Sequence, residues 1–281
     1  MKKEINPADI SCLTVQKVSA SYGAKTILRD ISLDLTAGDF TCLCGPNGAG
    51  KTTLLNVMAG LADARLKTSG GVFLQGPEDH GESEGFEVSS LPRRSAARLI
   101  AFMQQNEFSE WNFTVKDFVL QGRYSHSNGG HYAAADYEVV DGVLRDLDLS
   151  AFADRNIHEL SGGEFQKVRL ARAFAQCPRF LLLDEPAANL DYVFEPHLMQ
   201  LLCDTAHKKN IGILAAVHDI NLAARFADKI LLLPPAAASE NASKKSVLYG
   251  YPSDIMNSDN LKYTFGVDFE CREIKSFQSL Q

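Results

Sequence analysis

The segment Gly45-Pro46-Asn47-Gly48-Ala49-Gly50-Lys51-Thr52 constrains this chain more than any other. It fits G-x-x-x-x-G-K-[ST], with a short apolar run at 40–44 ahead of it and helical spacing from Lys51 onward. In a loop between a strand and a helix, glycines let successive backbone N–H groups turn inward. The helix N-terminus adds its dipole, so the loop becomes a cradle for phosphate oxygens. Lys51 supplies a point charge for the outer phosphates, and the hydroxyl of Thr52, followed by Thr53, can ligate Mg²⁺. A purely structural glycine turn is the alternative, and the flanking strand and helix weigh against it.

The rest of the chain supplies the framework such a loop needs. Residues 13–18 and 27–35 alternate polar and apolar like half-buried strands, and 72–74 and 99–103 read as further short strands. The runs 180–183 and 211–217 are apolar throughout, the pattern of parallel strands buried on both faces. Helical spacing covers 115–149, broken by a His/Asn/Gly stretch at 126–131, then 164–176 and 194–208. Strands alternating with helices predict an α/β fold with a mainly parallel sheet. Residues 77–90 and 234–245 read as exposed loops, and no internal repeat is visible.

Ligands of such sheets bind beyond the strands' carboxyl ends, and the remaining candidates stand at those ends. The run Phe180-Leu181-Leu182-Leu183 ends in Asp184-Glu185. Asp184 is placed to hold the Mg²⁺ shell, and Glu185 can reach a water beyond the γ-phosphate as general base. Just upstream stands Leu160-Ser161-Gly162-Gly163-Glu164, where a helix start offers N–H groups and a hydroxyl to an anion. A Ser N-cap with Glu at its third following position is also a capping box, so a structural role holds there in any case.

Together these motifs resemble the ATP-binding cassette family, whose signature the 160–164 segment matches. The resemblance runs from about Leu13 to Asp268 with the motifs in the family's order. It implies a P-loop (RecA-like) α/β core over 11–104 and 165–235 that includes an N-terminal antiparallel β subdomain. It also implies an α-helical subdomain with the signature over 105–164 and a C-terminal extension over 236–281, all within one domain of 1–281. Further roles follow from it alone. Tyr22 would stack on adenine, and Gln105 would reach Mg²⁺ or water and couple the site to a permease. Gln104 beside it stands where proline is frequent, which leaves the choice between the two glutamines open. Asn189-Leu190-Asp191 would meet a second copy, and His218, closing the run 211–217, would contact the γ-phosphate. Residues 45–53 and Tyr22 of one copy would then share ATP with Ser161, Gly162, Gly163, Glu164 and Asp191, the signature facing the other copy's nucleotide. Lys51, Glu185 and His218 would be the catalytic groups, with Thr52, Gln105 and Asp184 on the metal.

Three softer segments resemble importers of iron-siderophores, haem or cobalamin: Gln121-Gly122-Arg123-Tyr124-Ser125-His126, Ala153-Asp154-Arg155, and the tail 260–268. They imply a permease partner and, indirectly, a solute-binding protein.

Composition limits the partners and the compartment. A net charge of −7 argues against nucleic acid, whose phosphates are bound by clustered Lys and Arg. Residues 1–10 are polar, and the longest apolar runs fall short of the roughly 18 residues that span a bilayer. No signal peptide is expected, and the resemblance implies a place at the cytoplasmic face of the cell membrane. Six cysteines (Cys12, Cys42, Cys44, Cys177, Cys203, Cys271) make no CxxC or zinc spacing, which fits a reducing compartment. Cys42 and Cys44 should share one face of a strand as small buried hydrophobes. Trp111 reads as packing or a partner contact. Two other readings compete: a soluble cassette ATPase acting on nucleic acid or ribosomes, and a plain P-loop kinase or GTPase. A single cassette without coiled-coil or zinc insertions speaks against the first. The 160–164 segment and the lack of an Asn-Lys-x-Asp motif speak against the second.

Overall fold

Alternating and unbroken apolar runs decide the strands, and a computed structural model describes the outcome over residues 5–77, 85–105, 107, 110–188, 194–239 and 246–270. In chain order the strands are β1 (Cys12–Tyr22), β2 (Lys25–Thr36), β3 (Phe40–Cys44), β4 (Lys67–Gln75), β5 (Phe86–Glu87), β6 (Ile100–Met103), β7 (Phe180–Asp184), β8 (Gly212–Ala216), β9 (Lys229–Leu232) and β10 (Leu248–Gly250). The helices are α1 (Lys51–Met58), α2 (Arg93–Leu99), α3 (Val115–Leu120), α4 (Ala134–Asp146), α5 (Gly162–Ala175), α6 (Phe194–Lys209), α7 (Ile220–Phe226), α8 (Pro252–Ile255) and α9 (Ser258–Phe265). No described helix is long and apolar enough to cross a membrane.

The half-buried strands form an antiparallel sheet in the order β2-β1-β4-β5. The fully apolar strands form a second sheet, β10-β9-β3-β8-β7-β6, parallel except for β10 at its edge. Every residue of β3, β7 and β8 is buried. Alternate side chains enter opposite cores: Leu181, Leu183, Ile213 and Ala215 join one with α3–α6, while Leu182, Leu214 and Ala216 join another beneath α1 and the antiparallel sheet. Cys42 and Cys44 lie on one face as expected, and burial pushes the Cys44 thiol up to about 12.

Two sequence expectations need correction. The expected loop 77–90 contains β5, which pairs with β4, and a 3₁₀ turn at Val88–Ser90; residues 78–84 lie outside the described part. In the expected C-terminal extension, β10 forms the edge of the second sheet and the Tyr249 hydroxyl donates to the Asp34 carbonyl at 2.6 Å. Within 234–245, a 3₁₀ turn spans Ala236–Ser239, and 240–245 lies outside the described residues.

The helical region carries a buried ion pair. Arg123 Nε donates to Asp136 Oδ1 at 2.9 Å, and Arg123 Nη1 donates to the Ala175 carbonyl at 3.0 Å, tying α4 to the end of α5. Burial pushes the Asp136 carboxyl up, but the Ala133 amide and the Arg123 guanidinium outweigh it and hold it below the ordinary range. We predict that Asp136→Ala lowers unfolding free energy in urea by about 3 kcal/mol at pH 7, because it strands a buried guanidinium. A depressed carboxylate contributes stability above its unfolded pKa and loses it as pH falls through the folded one. The gap between the two proteins should therefore shrink as pH drops below about 4. A gap that stays constant would assign the loss to packing alone.

Candidate active site

Parallel pairing carries the site. In β3-β8-β7-β6 every carboxyl end points the same way, and Leu43, Ala216 and Asp184 stand level across the sheet. The loops that follow therefore line one edge in the spatial order 45–50, His218, Glu185, Gln105, although the chain meets them as 45, 105, 185 and 218.

The 45–52 loop has the shape its sequence demands. Gly50 caps α1 in the left-handed region (φ 101°) with no side-chain cap, so the first helical N–H groups have no capping side chain. A Cβ on Gly45 would lie 2.4 Å from the Leu233 carbonyl oxygen, so only glycine fits against that strand. Asn47 and Gly48 are exposed, Ala49 is buried, Thr52 is exposed and Thr53 half-buried. Leu54, Leu55 and Met58 share the buried face of α1 with Lys51. Lys51 is 6 % exposed and folds back on its own loop, donating Nζ to the carbonyls of Gly45 (2.8 Å) and Pro46 (3.2 Å). Burial lowers its pKa, and the carboxylates of Glu185 and Asp184 push the other way.

Asp184 ends β7 wholly buried, and among the described residues no donor meets either carboxylate oxygen in hydrogen-bond geometry, although the Thr52 hydroxyl stands close enough to influence it. Burial raises its pKa; the Thr52 hydroxyl opposes this, Glu185 reinforces it, and Lys51 and His218 oppose it. Two orphaned oxygens beside a hydroxyl and opposite a P-loop fit the outer ligands of a hard divalent cation such as Mg²⁺.

Glu185 follows with φ 52°, a left-handed conformation costly for a residue with a Cβ. The resulting turn carries its carboxylate between the neighbouring strand ends. Gln105 Nε2, after β6, donates to Oε2 at 2.5 Å, and His218 Nε2, after β8, donates to Oε1 at 2.7 Å. The structure thus brings Gln105, rather than Gln104, onto Glu185. With its amide nitrogen engaged there, Gln105 has only its carbonyl oxygen to offer a metal.

Other expected groups stand apart. Ser161 caps α5 in a full capping box: Glu164 N donates to Ser161 Oγ at 3.3 Å, while Ser161 N and Oγ donate to Glu164 Oε2, each at 2.7 Å. Those hydrogen bonds hold the Glu164 carboxyl below its usual range. Ser161 and Gly162 are exposed, and among the described residues no hydrogen bond or ion pair links 161–164 to 45–52. Tyr22 ends β1 at 41 % exposure. Asn189-Leu190-Asp191 lies outside the described residues.

Sequence reasoning missed Gln166 and Arg169, both 4 % exposed on α5. Gln166 Nε2 donates to the Pro186 carbonyl at 2.8 Å, and Arg169 Nη1 to the Gln105 carbonyl at 3.2 Å. Their signal was available: polar residues at i and i+3 on the apolar face of an amphipathic helix.

Comparison with known proteins gives a consistent answer. The ABC transporter family model matches residues 28–188. An uncharacterised ABC transporter ATP-binding protein of Methanocaldococcus jannaschii is 34 % identical over 258 residues, 91 % of this chain and 92 % of its own. The hemin import ATP-binding protein HmuV of Bordetella avium is 34 % identical over 264 residues, again 91 % and 92 %. A solved structure described as an inward-facing conformation of a metal-chelate type ABC transporter superposes with a TM-score of 0.74 at 28 % identity. It covers 92 % of this chain and 90 % of its own.

The orphaned carboxylate yields a prediction. A raised carboxyl favours the folded state while protonated and loses that contribution as pH climbs through the folded value. Asp184→Asn should therefore stabilise the nucleotide-free protein by about 1 kcal/mol at pH 7 in urea unfolding. The gain should shrink as pH falls and vanish below about 3, where the carboxyl is protonated in both folded and unfolded states. A destabilised variant at pH 7 would show that Asp184 has a partner in the folded chain.

Proposed function

The chain belongs to the ABC transporter family and is an ATP-binding ATPase, and from that premise we propose that it powers import of a metal chelate through a separate permease. The chelate would be of the iron-siderophore, haem or cobalamin type. The reading places two copies head to tail at the cytoplasmic face of the membrane, with a solute-binding protein delivering cargo on the far side. The hemin importer subunit and the metal-chelate type transporter to which this chain is similar support the cargo class.

One observation carries the chemistry: Glu185 is turned out of its strand and held by Gln105 and His218 beside the P-loop. The loop amides of 45–52 and Lys51 take the phosphates of ATP, with Lys51 exchanging its own loop carbonyls for phosphate oxygens. Asp184, Thr52 and the Gln105 carbonyl oxygen would hold Mg²⁺, which when bound neutralises charge on the phosphates. Glu185 accepts a proton from the water attacking the γ-phosphorus, the bond to the β–γ bridging oxygen breaks, and ADP leaves. His218 steers the carboxylate and reaches toward the γ-phosphate.

The head-to-tail pairing rests on the exposed start of α5. Among the described residues the Gly162 and Gly163 amides at this helix start have no hydrogen-bond acceptor, and Gly162 is exposed, which suits the turn to a partner's nucleotide. Permease docking suits a cleft of about 640 Å³ lined by Glu107, Trp111, Phe113, Phe118 and Arg172, in which Trp111 is 74 % exposed. An exposed aromatic beside charged groups is the composition of an interface anchor.

Glu185→Gln should retain ATP binding, lose turnover by about 100-fold or more, and trap an ATP-bound dimer visible by sedimentation. A variant that hydrolyses ATP at the wild-type rate would remove Glu185 from the reaction. Purified with its membrane partner in proteoliposomes, the wild-type chain should drive uptake of a chelate such as hemin. Stimulation by RNA or DNA without any membrane partner would overturn the transport reading.

A further inference from the structure

Gln166 and Arg169 have no part in the chemistry above, yet they are buried at its edge on one face of α5. Arg169 Nη1 donates to the Gln105 carbonyl at 3.2 Å and to Gln166 Oε1 at 2.6 Å, and Nη2 donates to the Gln104 carbonyl. Gln166 Nε2 donates to the Pro186 carbonyl at 2.8 Å and reaches the Glu185 carbonyl at 3.4 Å. The backbones on both sides of the Gln105–Glu185 contact are therefore tied to one helix through two touching side chains.

A guanidinium is an expensive group to bury, and it persists only where charge and donors are both answered. The charge is answered by Glu107, whose carboxylate lies 3.6 Å from Arg169 Nε and 2.5 Å from Arg172 Nη1. The Nη donors are answered by backbone carbonyls of the 104–105 turn and by Gln166, while the buried Nε makes no hydrogen bond and has the Glu107 carboxylate at 3.6 Å beside it. A planar fork is required to span those acceptors, and a point-charge ammonium cannot. Packing α5 onto the sheet would need no such group, since Val168 and Leu170 already do so.

We propose that Arg169 and Gln166, anchored by Glu107, are positioning residues that set the backbones of Gln105 and Glu185 at the distance the water-activating carboxylate requires. The proposal rests on the reading of Glu185 as general base. A misplacement of about 1 Å in a reacting group can cost on the order of 100-fold in rate, so a loosened brace is felt in turnover rather than in ATP binding.

The test is steady-state ATPase kinetics of the full-length chain carrying Arg169→Met, Arg169→Lys and Glu107→Gln, each also combined with Glu185→Gln. Arg169→Met should lower kcat by about tenfold or more with KM for ATP held within about twofold. Arg169→Lys should fail to rescue it, and Glu107→Gln should lower kcat severalfold. In the Glu185→Gln background none should lower the residual rate further, because the brace acts through Glu185. An unchanged kcat in Glu107→Gln and Arg169→Lys, rescue by lysine, or losses that multiply with Glu185→Gln would overturn the proposal. Should Arg169→Met not fold, Arg169→Lys and Glu107→Gln carry the same test. Failure of the base assignment shows separately, as full activity in Glu185→Gln alone.

Discussion

The parallel pairing of β3, β8, β7 and β6, with apolar side chains buried on both faces, is the constraint on which the site depends. Because the strands run one way, groups far apart in sequence must end at one edge, each held by a strand that cannot shift register. A one-residue slip would exchange Leu181 and Leu183 with Leu182 between two different cores. The position of Glu185 follows from strand order together with its left-handed turn. β7 lies between β8 and β6, so its end residue lies between His218 and Gln105 and is clasped by both.

The same burial that fixes the frame makes its edge costly. Asp184 sits with unanswered oxygens, Lys51 is desolvated, and Glu185 adopts a conformation that costs roughly 1–2 kcal/mol in a residue bearing a Cβ. These costs share a direction, since each would be relieved by a bound polyanion or cation, or is needed to aim a side chain at one. A rigid apolar sheet can hold such groups, whereas a solvated loop would relax around them.

What was legible in the sequence divides along the same line. Uninterrupted apolar runs such as 180–183 and the 45–52 loop declare themselves because their local demands are severe: full burial in one case, positive φ and close approach in the other. β5 and β10 did not, because Phe86–Glu87 and Leu248–Gly250 are too short to set a period and exist only through pairing with β4 and β9. Arg169 and Gln166 were hidden by a different bias. Periodicity locates a helix over 164–176 but does not tell that two of its polar members, Gln166 and Arg169, lie on the buried side. The segment 121–126 was legible only as a likeness, and the structure supplies a packing reason for it. Arg123 pairs with Asp136, His126 Nε2 contacts the Gln176 carbonyl at 3.0 Å, and a Cβ on Gly122 would strike the Arg172 carbonyl at 2.2 Å. That likeness therefore reports how the turn after α3 packs against α4 and α5.

Helix α5 connects these observations. It starts at an exposed Gly162, its middle holds the carbonyls of Gln105 and Glu185, and its last turn receives Arg123 and Gly122. Interiors packed at crystal-like density transmit displacement instead of absorbing it. The grip at the middle of α5 gives the proposed anion site at its start a packed path to the strand ends. Glu107 adds a second input, since its carboxylate lines the cleft beside Trp111 while pairing with Arg169 and Arg172. Whatever displaces that carboxylate must act on the guanidinium that holds the 104–105 turn.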